Sequence, residues 1–178
     1  MFIMKRLLLI VLPLLLIVGC SKPISEETLI DKDGLKYHPD TKELYSGKVF
    51  KNRMGGGKEF EGSYKDGKKD GLWTRWYENG QKKREFTFKD GKENGLFTSW
   101  YENGQKMKEG TQKNNRQDGK WTWWYENGQK KEEGNFKDGN KDGLYTEWFE
   151  SGKKKFEGTQ KDGEVISQKW WNEDGSRN

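Results

Sequence analysis

The stretch that decides the fold is GLWTRWYENGQKKREFTFKDGKEN, residues 71–94. Its first half is rich in aromatic residues and its second half alternates apolar with polar residues, a pattern typical of two β-strands. Asn79-Gly80 separates the two halves and is a strong signal for a hairpin turn. Asp90-Gly91 then predicts a second tight turn, so the stretch is expected to form one β-hairpin that leads into the next.

This unit recurs along the chain at a constant period. WYENGQK begins at residues 76, 100 and 124, a related WFESGKK begins at residue 148, and the spacing is 24 residues each time. A single hairpin is too small to bury its apolar surface, so successive units are expected to stack into a quasi-one-dimensional array. We therefore predict an all-β fold, a single-layer antiparallel meander of about five hairpins. Its units are 47–70, 71–94, 95–118, 119–142 and 143–178, and a β lead-in precedes them at 28–46.

The pairing register depends on the length of the Asn-Gly loop. A two-residue loop places Trp73 opposite Phe86, Thr74 opposite Glu85 and Trp76 opposite Lys83. A three-residue loop with Gly80 in the left-handed conformation would shift these pairs by one, and the sequence leaves both open. In the first case, the Thr/Glu pair recurs as Thr98/Glu109, Thr122/Glu133 and Thr146/Glu157.

Composition excludes several other classes of fold. The chain contains no alanine, and from residue 20 onward it has 24 aromatic residues against fourteen aliphatic or cysteine residues. An ordinary aliphatic core is thereby excluded, and a helical bundle is disfavoured because the best helix former is absent. Disorder is disfavoured too, since so many aromatic residues can bury a large area.

The first nineteen residues have the pattern of a secretory signal. Lys5 and Arg6 precede a short apolar run, which reaches Gly19-Cys20 and is interrupted by Pro13. The ending Ile17-Val18-Gly19-Cys20 resembles a bacterial lipobox, which implies cleavage before Cys20 and a diacylglycerol on its thiol. We therefore expect a cleaved signal helix at 1–19, a lipidated tether at 20–27 and attachment to the cell envelope, at the outer membrane or cell surface. Without Lys5 and Arg6 the net charge falls from +5 to +3.

The repeated unit also carries a family resemblance. GLWTRWYENGQKKREFTFKDGK is similar to the variant MORN repeat, and the stretch from Gly34 through Tyr45-Ser46-Gly47-Lys48-Val49 resembles the start of YwqK family proteins, which are labelled toxin–antitoxin antitoxins. The likeness covers about residues 28–178. It implies an elongated hairpin sheet and an antitoxin-like or immunity-like role.

The repeated aromatic pairs form the candidate binding surface. Its members are Trp76, Tyr77, Trp100, Tyr101, Trp124, Tyr125, Trp148 and Phe149. We favour the interpretation that the four tryptophans stack as the core of the array. The alternative is an exposed aromatic ladder that binds a glycan, a lipid headgroup or a partner's strand.

The sequence offers no pattern for catalysis or metal binding. Glu85 and its equivalents recur once per unit, whereas a catalytic carboxylate pair is normally a single constellation. His38 is the only histidine and Cys20 the only cysteine, so no zinc-ligand set, disulfide or cofactor site is expected. Residues 71–94 have six basic and four acidic residues and residues 143–166 have four and five, which disfavours nucleic-acid binding. We therefore expect a non-enzymatic lipoprotein that binds an envelope protein, or alternatively a cell-wall glycan.

Overall fold

A computed structural model describes residues 22–178, and the regular structure of this part of the chain is almost entirely β-strand. The predicted signal helix and Cys20 lie outside the described residues. The strands are β1 (Ile24–Ser25), β2 (Ile30–Lys32), β3 (Leu35–Tyr37), β4 (Gly47–Asn52), β5 (Lys58–Lys65), β6 (Lys68–Lys69), β7 (Gly71–Trp76), β8 (Lys82–Lys89), β9 (Lys92–Trp100), β10 (Lys106–Lys113), β11 (Arg116–Trp124), β12 (Lys130–Lys137), β13 (Asn140–Trp148), β14 (Lys154–Lys161) and β15 (Glu164–Trp170). A 3₁₀ turn covers Glu26–Thr28. Residues 22–178 include no helix long and apolar enough to cross a bilayer.

Thirteen strands form one sheet, and its order confirms the predicted antiparallel meander. The order is β1-β4-β5-β7-β8 and then each strand in sequence to β15, with the short β6 paired to β5. β1 runs parallel to its neighbour β4, with Ile24 opposite Val49, and the other strand pairs within residues 22–178 are antiparallel. The lead-in adds a separate hairpin of β2 and β3. The sheet is therefore longer at its first edge than five hairpins alone would make it.

The two kinds of turn differ in length. Glu78-Asn79-Gly80 is a three-residue loop, because the Tyr77 N–H donates to the Gln81 carbonyl at 2.8 Å and Gly80 has a φ of +83°. The two-residue Asn-Gly loop is therefore wrong, and Trp76 lies opposite Lys82 rather than Lys83. A register shift next to Trp76 compensates for the extra loop residue, so the predicted Trp73/Phe86 and Thr74/Glu85 pairs are confirmed.

The turns between units are the two-residue turns. Asp90 and Gly91 have φ values of +51° and +81°, the double positive φ of a type I′ turn. Asn114 and Asn115 make the equivalent turn one unit later. The backbone twist of a type I′ turn matches that of the strands on either side, so these two-residue turns join each hairpin directly to the next.

One side of the sheet, which we call the aromatic face, contains the core. Trp73, Phe97, Trp121 and Tyr145 are buried there, each at the centre of its strand. The rings of Trp73, Trp121 and Tyr145 lie over Gly62, Gly110 and Gly134, where a Cβ atom would come within 2.2, 2.2 and 2.3 Å of the respective ring. At these three places a large ring covers a glycine of the neighbouring strand, whereas Phe86 and Phe97 lie opposite each other with no glycine between them. The single-layer sheet therefore buries part of its aromatic core against its own backbone.

The favoured core prediction placed the wrong tryptophans in the core. Trp76, Trp100, Trp124 and Trp148 are only half-buried and lie on the opposite side, which we call the threonine face. Each of them ends its strand beside an Asn-Gly or Ser-Gly turn. The core residues precede them by three positions in each unit.

Lysine side chains cover part of the aromatic face. The Lys69 ammonium lies 4.6 Å from the Trp73 ring centroid, and the Lys108 ammonium lies 4.8 Å from that of Phe97. Burial lowers the pKa of both lysines. Their aliphatic stems shield the rings from water while cation–π contacts offset part of the burial cost.

Candidate functional site

The tyrosines of the predicted aromatic surface are used within the structure. The hydroxyls of Tyr77, Tyr101 and Tyr125 each donate to the carbonyl of the tryptophan one unit later, all at 2.8 Å. Partial burial raises the pKa of Tyr101 and Tyr125, with nearby glutamates adding to the effect. These hydroxyls therefore link neighbouring units and are not free to bind a ligand.

The same link continues at the first unit through a different side chain. The Arg53 guanidinium donates to the carbonyl of Trp76, 23 residues later, as the tyrosines do in the following units. Phe149 has no hydroxyl, and at that unit Lys153 donates to the Glu173 carbonyl at 3.0 Å instead. Asn79 also joins two turns, because its amide donates to the Glu102 carbonyl at 2.9 Å. The Asn-Gly edge is thus a continuous series of contacts between units.

Each tryptophan of the candidate surface has a lysine over its ring. Lys82 is typical: its ammonium is 5.8 Å from the Trp100 ring centroid and 2.5 Å from the Glu85 carboxylate. The same group of tryptophan, lysine and glutamate occurs five times across the sheet. The other groups are Trp76/Lys58/Glu61, Trp124/Lys106/Glu109, Trp148/Lys130/Glu133 and Trp171/Lys154/Glu157. A saccharide stacks on open ring faces, and here a cation lies over each ring.

The threonine face also contains two further rows of side chains that run across the strands. In the first, the predicted Thr/Glu pairs continue from Glu61 to Glu157 without interruption. In the second, Leu72, Leu96 and Leu144 occupy one equivalent position of their units and are 56%, 71% and 54% exposed. A groove of 550 Å³ lies between these rows, lined among others by Leu96, Thr122 and Trp124.

The leucine row was missed at the sequence level, although a signal for it was present. Leucine follows the first glycine of the unit at residues 72, 96 and 144, and Lys120 takes its place in the unit between. Aliphatic side chains are scarce in this chain, so the regular recurrence of leucine is a signal that predicts a row of aliphatic side chains across the sheet. Strand periodicity alone only placed Leu72 on the same face as Thr74, and this placement is confirmed.

The described residues contain no cluster of three or more His, Cys, Asp or Glu side chains that could hold a metal ion. His38 lies in the lead-in, where its ring nitrogen Nδ1 accepts a hydrogen bond from the Asp40 N–H at 3.2 Å. The Glu133 carboxylate forms ion pairs with Lys130 and Lys120. These two cations hold the pKa of Glu133 below its usual range, although partial burial acts in the opposite direction. Glu133 and the other glutamates of the Thr/Glu row are thus the anionic partners of lysines.

Sheet, turns and repeated contacts together define a class: a repeat protein in which 24-residue β-hairpins stack side by side. The family is the MORN repeat variant, which matches at residues 69–90, 93–114, 117–138 and 141–162, so residues 69–162 of the chain belong to it. These four matches contain the four Asn-Gly or Ser-Gly hairpins from residue 76 to residue 154. No curated protein matches the chain. A MORN repeat sheet is compatible with a non-catalytic module for protein interaction.

Proposed function

We propose that the protein is an exported lipoprotein whose repeat sheet binds a partner protein without catalysing a reaction. The observation that supports binding is the leucine row on the threonine face. Leu72, Leu96 and Leu144 lie two strands apart or multiples of that, which is about 10 Å for one unit. A rigid sheet that presents large aliphatic side chains at regular spacing offers a surface for a protein partner.

The chemistry of this surface favours a protein over a glycan. The leucines lie beside threonine and glutamate side chains, so an apolar stripe is bordered by polar groups that can form hydrogen bonds. A mixture of this kind is typical of protein interfaces. The glycan alternative needs several uncovered tryptophan faces, and the lysines over Trp100 and Trp124 disfavour it.

The anchor is proposed from the sequence. The features that support a lipid on Cys20 are Lys5 and Arg6, the apolar run and the lipobox-like ending. Ile24–Ser25, within the expected tether at 20–27, pairs with β4, so acyl chains on Cys20 would hold the sheet at a membrane through residues 20–23 alone. An antitoxin for a cytoplasmic toxin would not be exported, so we propose that the resemblance to the YwqK family reflects a broad match of the repeat. The alternative is an immunity-like role outside the cytoplasm.

The test of binding is a pull-down from envelope extract with the wild-type protein and with a triple variant, Leu72→Ser, Leu96→Ser and Leu144→Ser. We expect the variant to lose the captured protein and to keep its thermal stability, because these side chains are more than half exposed. The matched control changes Lys89, Lys113 and Lys137 to serine, since these are also exposed and lie at the opposite edge from the Asn-Gly turns. Equal capture by both triple variants would contradict the proposal.

The test of the anchor is metabolic labelling with palmitate. Cys20→Ser removes the only thiol, so the variant should take up no label and should remain uncleaved. Label on this variant would contradict the lipoprotein proposal. The result would leave the binding proposal unaffected, since the two tests use different readouts.

A further inference from the structure

A single row of side chains on the aromatic face changes charge along its length. The row crosses β7 to β13, and each residue lies directly opposite the next. We call it the charged row; its members in order are Arg75, Arg84, Ser99, Lys108, Trp123, Glu132 and Glu147. Its first half is basic and its last two members are acidic.

This row places like charges side by side. Arg75 lies opposite Arg84, and Glu132 lies opposite Glu147. Directly opposed like charges destabilise a sheet, so the arrangement has a cost within one molecule. Arg84 and Glu147 cannot relieve that cost for each other, because they are five strands apart, about 24 Å.

The basic half has unused capacity to bind. Within residues 22–178, Arg75, Arg84 and Lys108 form no ion pair with a carboxylate. The buried Ser99 hydroxyl between Arg84 and Lys108 has no hydrogen-bond partner there either. A pocket of 260 Å³ beside Arg75 and Arg84 is lined by two further cations, Arg53 and Lys83, and by one carboxylate, Glu59, so its lining has an excess of positive charge. Arg75 and Arg84 are exposed, so carboxylates from outside the chain could pair with them, whereas Ser99 is too deeply buried to reach such a partner.

The acidic half is only weakly neutralised by its own chain. Glu147 lies 3.9 Å from Lys155, and Glu132 lies 3.9 Å from Lys131 while it also accepts a hydrogen bond from the Tyr145 hydroxyl. Both glutamates are half-buried. A guanidinium from outside the chain could form a closer ion pair with either of them.

On the first strand of each repeat unit, the residue type at the position of the charged row changes from one unit to the next, whereas the residue before it in the sequence stays the same. Residues 75, 99, 123 and 147 are equivalent and are Arg, Ser, Trp and Glu. The adjacent position on the other face is threonine in all four units, at 74, 98, 122 and 146. Lys108 and Trp123 also pack on rings of the core, and Glu132 accepts a hydrogen bond from the Tyr145 hydroxyl. Stacking of identical units does not, however, require the change from arginine at position 75 to glutamate at position 147.

We propose that the charged row is the contact between two copies of this chain, related by a two-fold axis that runs parallel to the strands between β10 and β11. This axis reverses the order of the row when the two aromatic faces meet. Arg84 then faces Glu147 of the second copy, and Ser99 faces Glu132 of the second copy. Lys108 faces Trp123 of the second copy, and Arg75 faces Phe156, which continues the row in β14. Each contact occurs twice, as a closed two-fold interface requires.

The size of the surface fits such an interface. Seven strand spacings separate β7 from β14, which makes the patch about 34 Å wide across the strands. Most of these strands have eight or nine residues and extend about 28 Å. The patch is therefore about 900 Å², close to the roughly 800 Å² per partner of a stable protein interface. A uniformly anionic partner such as a membrane surface or a nucleic acid fits less well, since Glu132 and Glu147 would repel it.

The experiment is a charge swap followed by sedimentation equilibrium of the full chain purified in detergent. Arg84→Glu and Glu147→Arg should each weaken self-association by at least about 100-fold, because each creates two repulsive contacts. An equimolar mixture of the two variants should associate again. In the mixed dimer, the carboxylate introduced at position 84 faces the guanidinium introduced at position 147, and the native Arg84 faces the native Glu147. The double variant should also associate by itself.

Two matched controls reverse charges that lie off the row. Glu102→Arg and Lys113→Glu change exposed residues at the two edges of the sheet, so both should associate like the wild type. If a reversed variant failed to fold by circular dichroism, Arg84→Gln and Glu147→Gln would replace the pair, with weaker association expected for each. A monomeric wild type, or single variants that associate normally, would overturn the proposal.

The proposal does not rest on the proposed function. The leucine row and the charged row lie on opposite faces, so loss of self-association and loss of partner capture can be measured separately. A mixture that failed to associate, while each single variant was monomeric, would also overturn the two-fold arrangement. That result would indicate instead that the row binds a different molecule.

Discussion

Replacing Gly110 with alanine tests how the sheet buries its core. Gly110 lies in β10 beneath the ring of Trp121, and a Cβ atom there would be 2.2 Å from the nearest ring carbon. Gly110 is not among the glycines with a positive φ, so alanine can adopt its backbone conformation and any cost is steric. The substitution therefore isolates one contact between a glycine and a ring.

The cost follows from the distance the ring must move. Carbon atoms pack at about 3.5–4.0 Å, so the ring and the new methyl group must separate by more than about 1.3 Å. Trp121 is fully buried and its ring lies 5.6 Å from that of Phe97 and 5.9 Å from that of Trp123, so it has little room to move. Overpacking of this kind costs about 1–3 kcal/mol, and we expect the upper end of that range.

The measurement is thermal unfolding followed by circular dichroism. For a chain of this size, about 3 kcal/mol corresponds to a fall in Tm of about 6–12 °C. In a Trp121→Leu background the ring is absent, so Gly110→Ala should cost much less or slightly stabilise the strand. A Tm for Gly110→Ala equal to or above that of the wild type would refute the packing of rings over glycines.

Two further predictions concern tyrosine hydroxyls. Tyr101→Phe removes the donor to the Trp124 carbonyl and should cost about 1 kcal/mol, a fall in Tm of about 3 °C by the same thermal assay; an unchanged Tm would contradict the link between units. The second concerns pH, because burial and the hydrogen bond to Glu132 raise the pKa of Tyr145 above its ordinary value of 10.0. The unfolded chain then releases this proton at a lower pH than the folded one, so the free energy of unfolding should fall as pH rises above about 10. Tyr145→Phe should reduce that slope in urea titrations, and an identical slope would count against the buried phenol.

The sequence predicted the parts of the fold that depend on local chemistry. The period of 24 residues, the hairpin in each unit and the Thr/Glu pairs follow from turn residues and strand alternation, and the structure confirms them. Alternation also placed Leu72, Thr74 and Trp76 together on one face. These features depend only on residues within one unit, and the same residues recur in each unit.

Other features depend on contacts that local chemistry does not specify. Asn79-Gly80 favours a two-residue loop, yet here it belongs to a three-residue loop whose extra residue is absorbed by a register shift. The choice of Trp73 over Trp76 for the core depends on Gly62 in a neighbouring strand, where the missing side chain makes space for the ring. A periodic tryptophan in a sequence shows that a position matters, but its neighbours across the strands decide whether it is buried.

Some positions of the repeat keep the same residue in every unit, whereas others change from unit to unit. Tyr77, Asn79 and the group of Trp100, Lys82 and Glu85 recur because each contacts the next unit, and loss of one would break a series of identical contacts. Positions 75 and 84 lie between these constant positions and belong to the same sheet, yet their residues change from one unit to the next. A repeat that needed only to stack would have no reason to place arginine beside arginine at one end and glutamate beside glutamate at the other. A second surface with the opposite gradient of charge would be complementary to this row, and a reversed copy of the same row provides one.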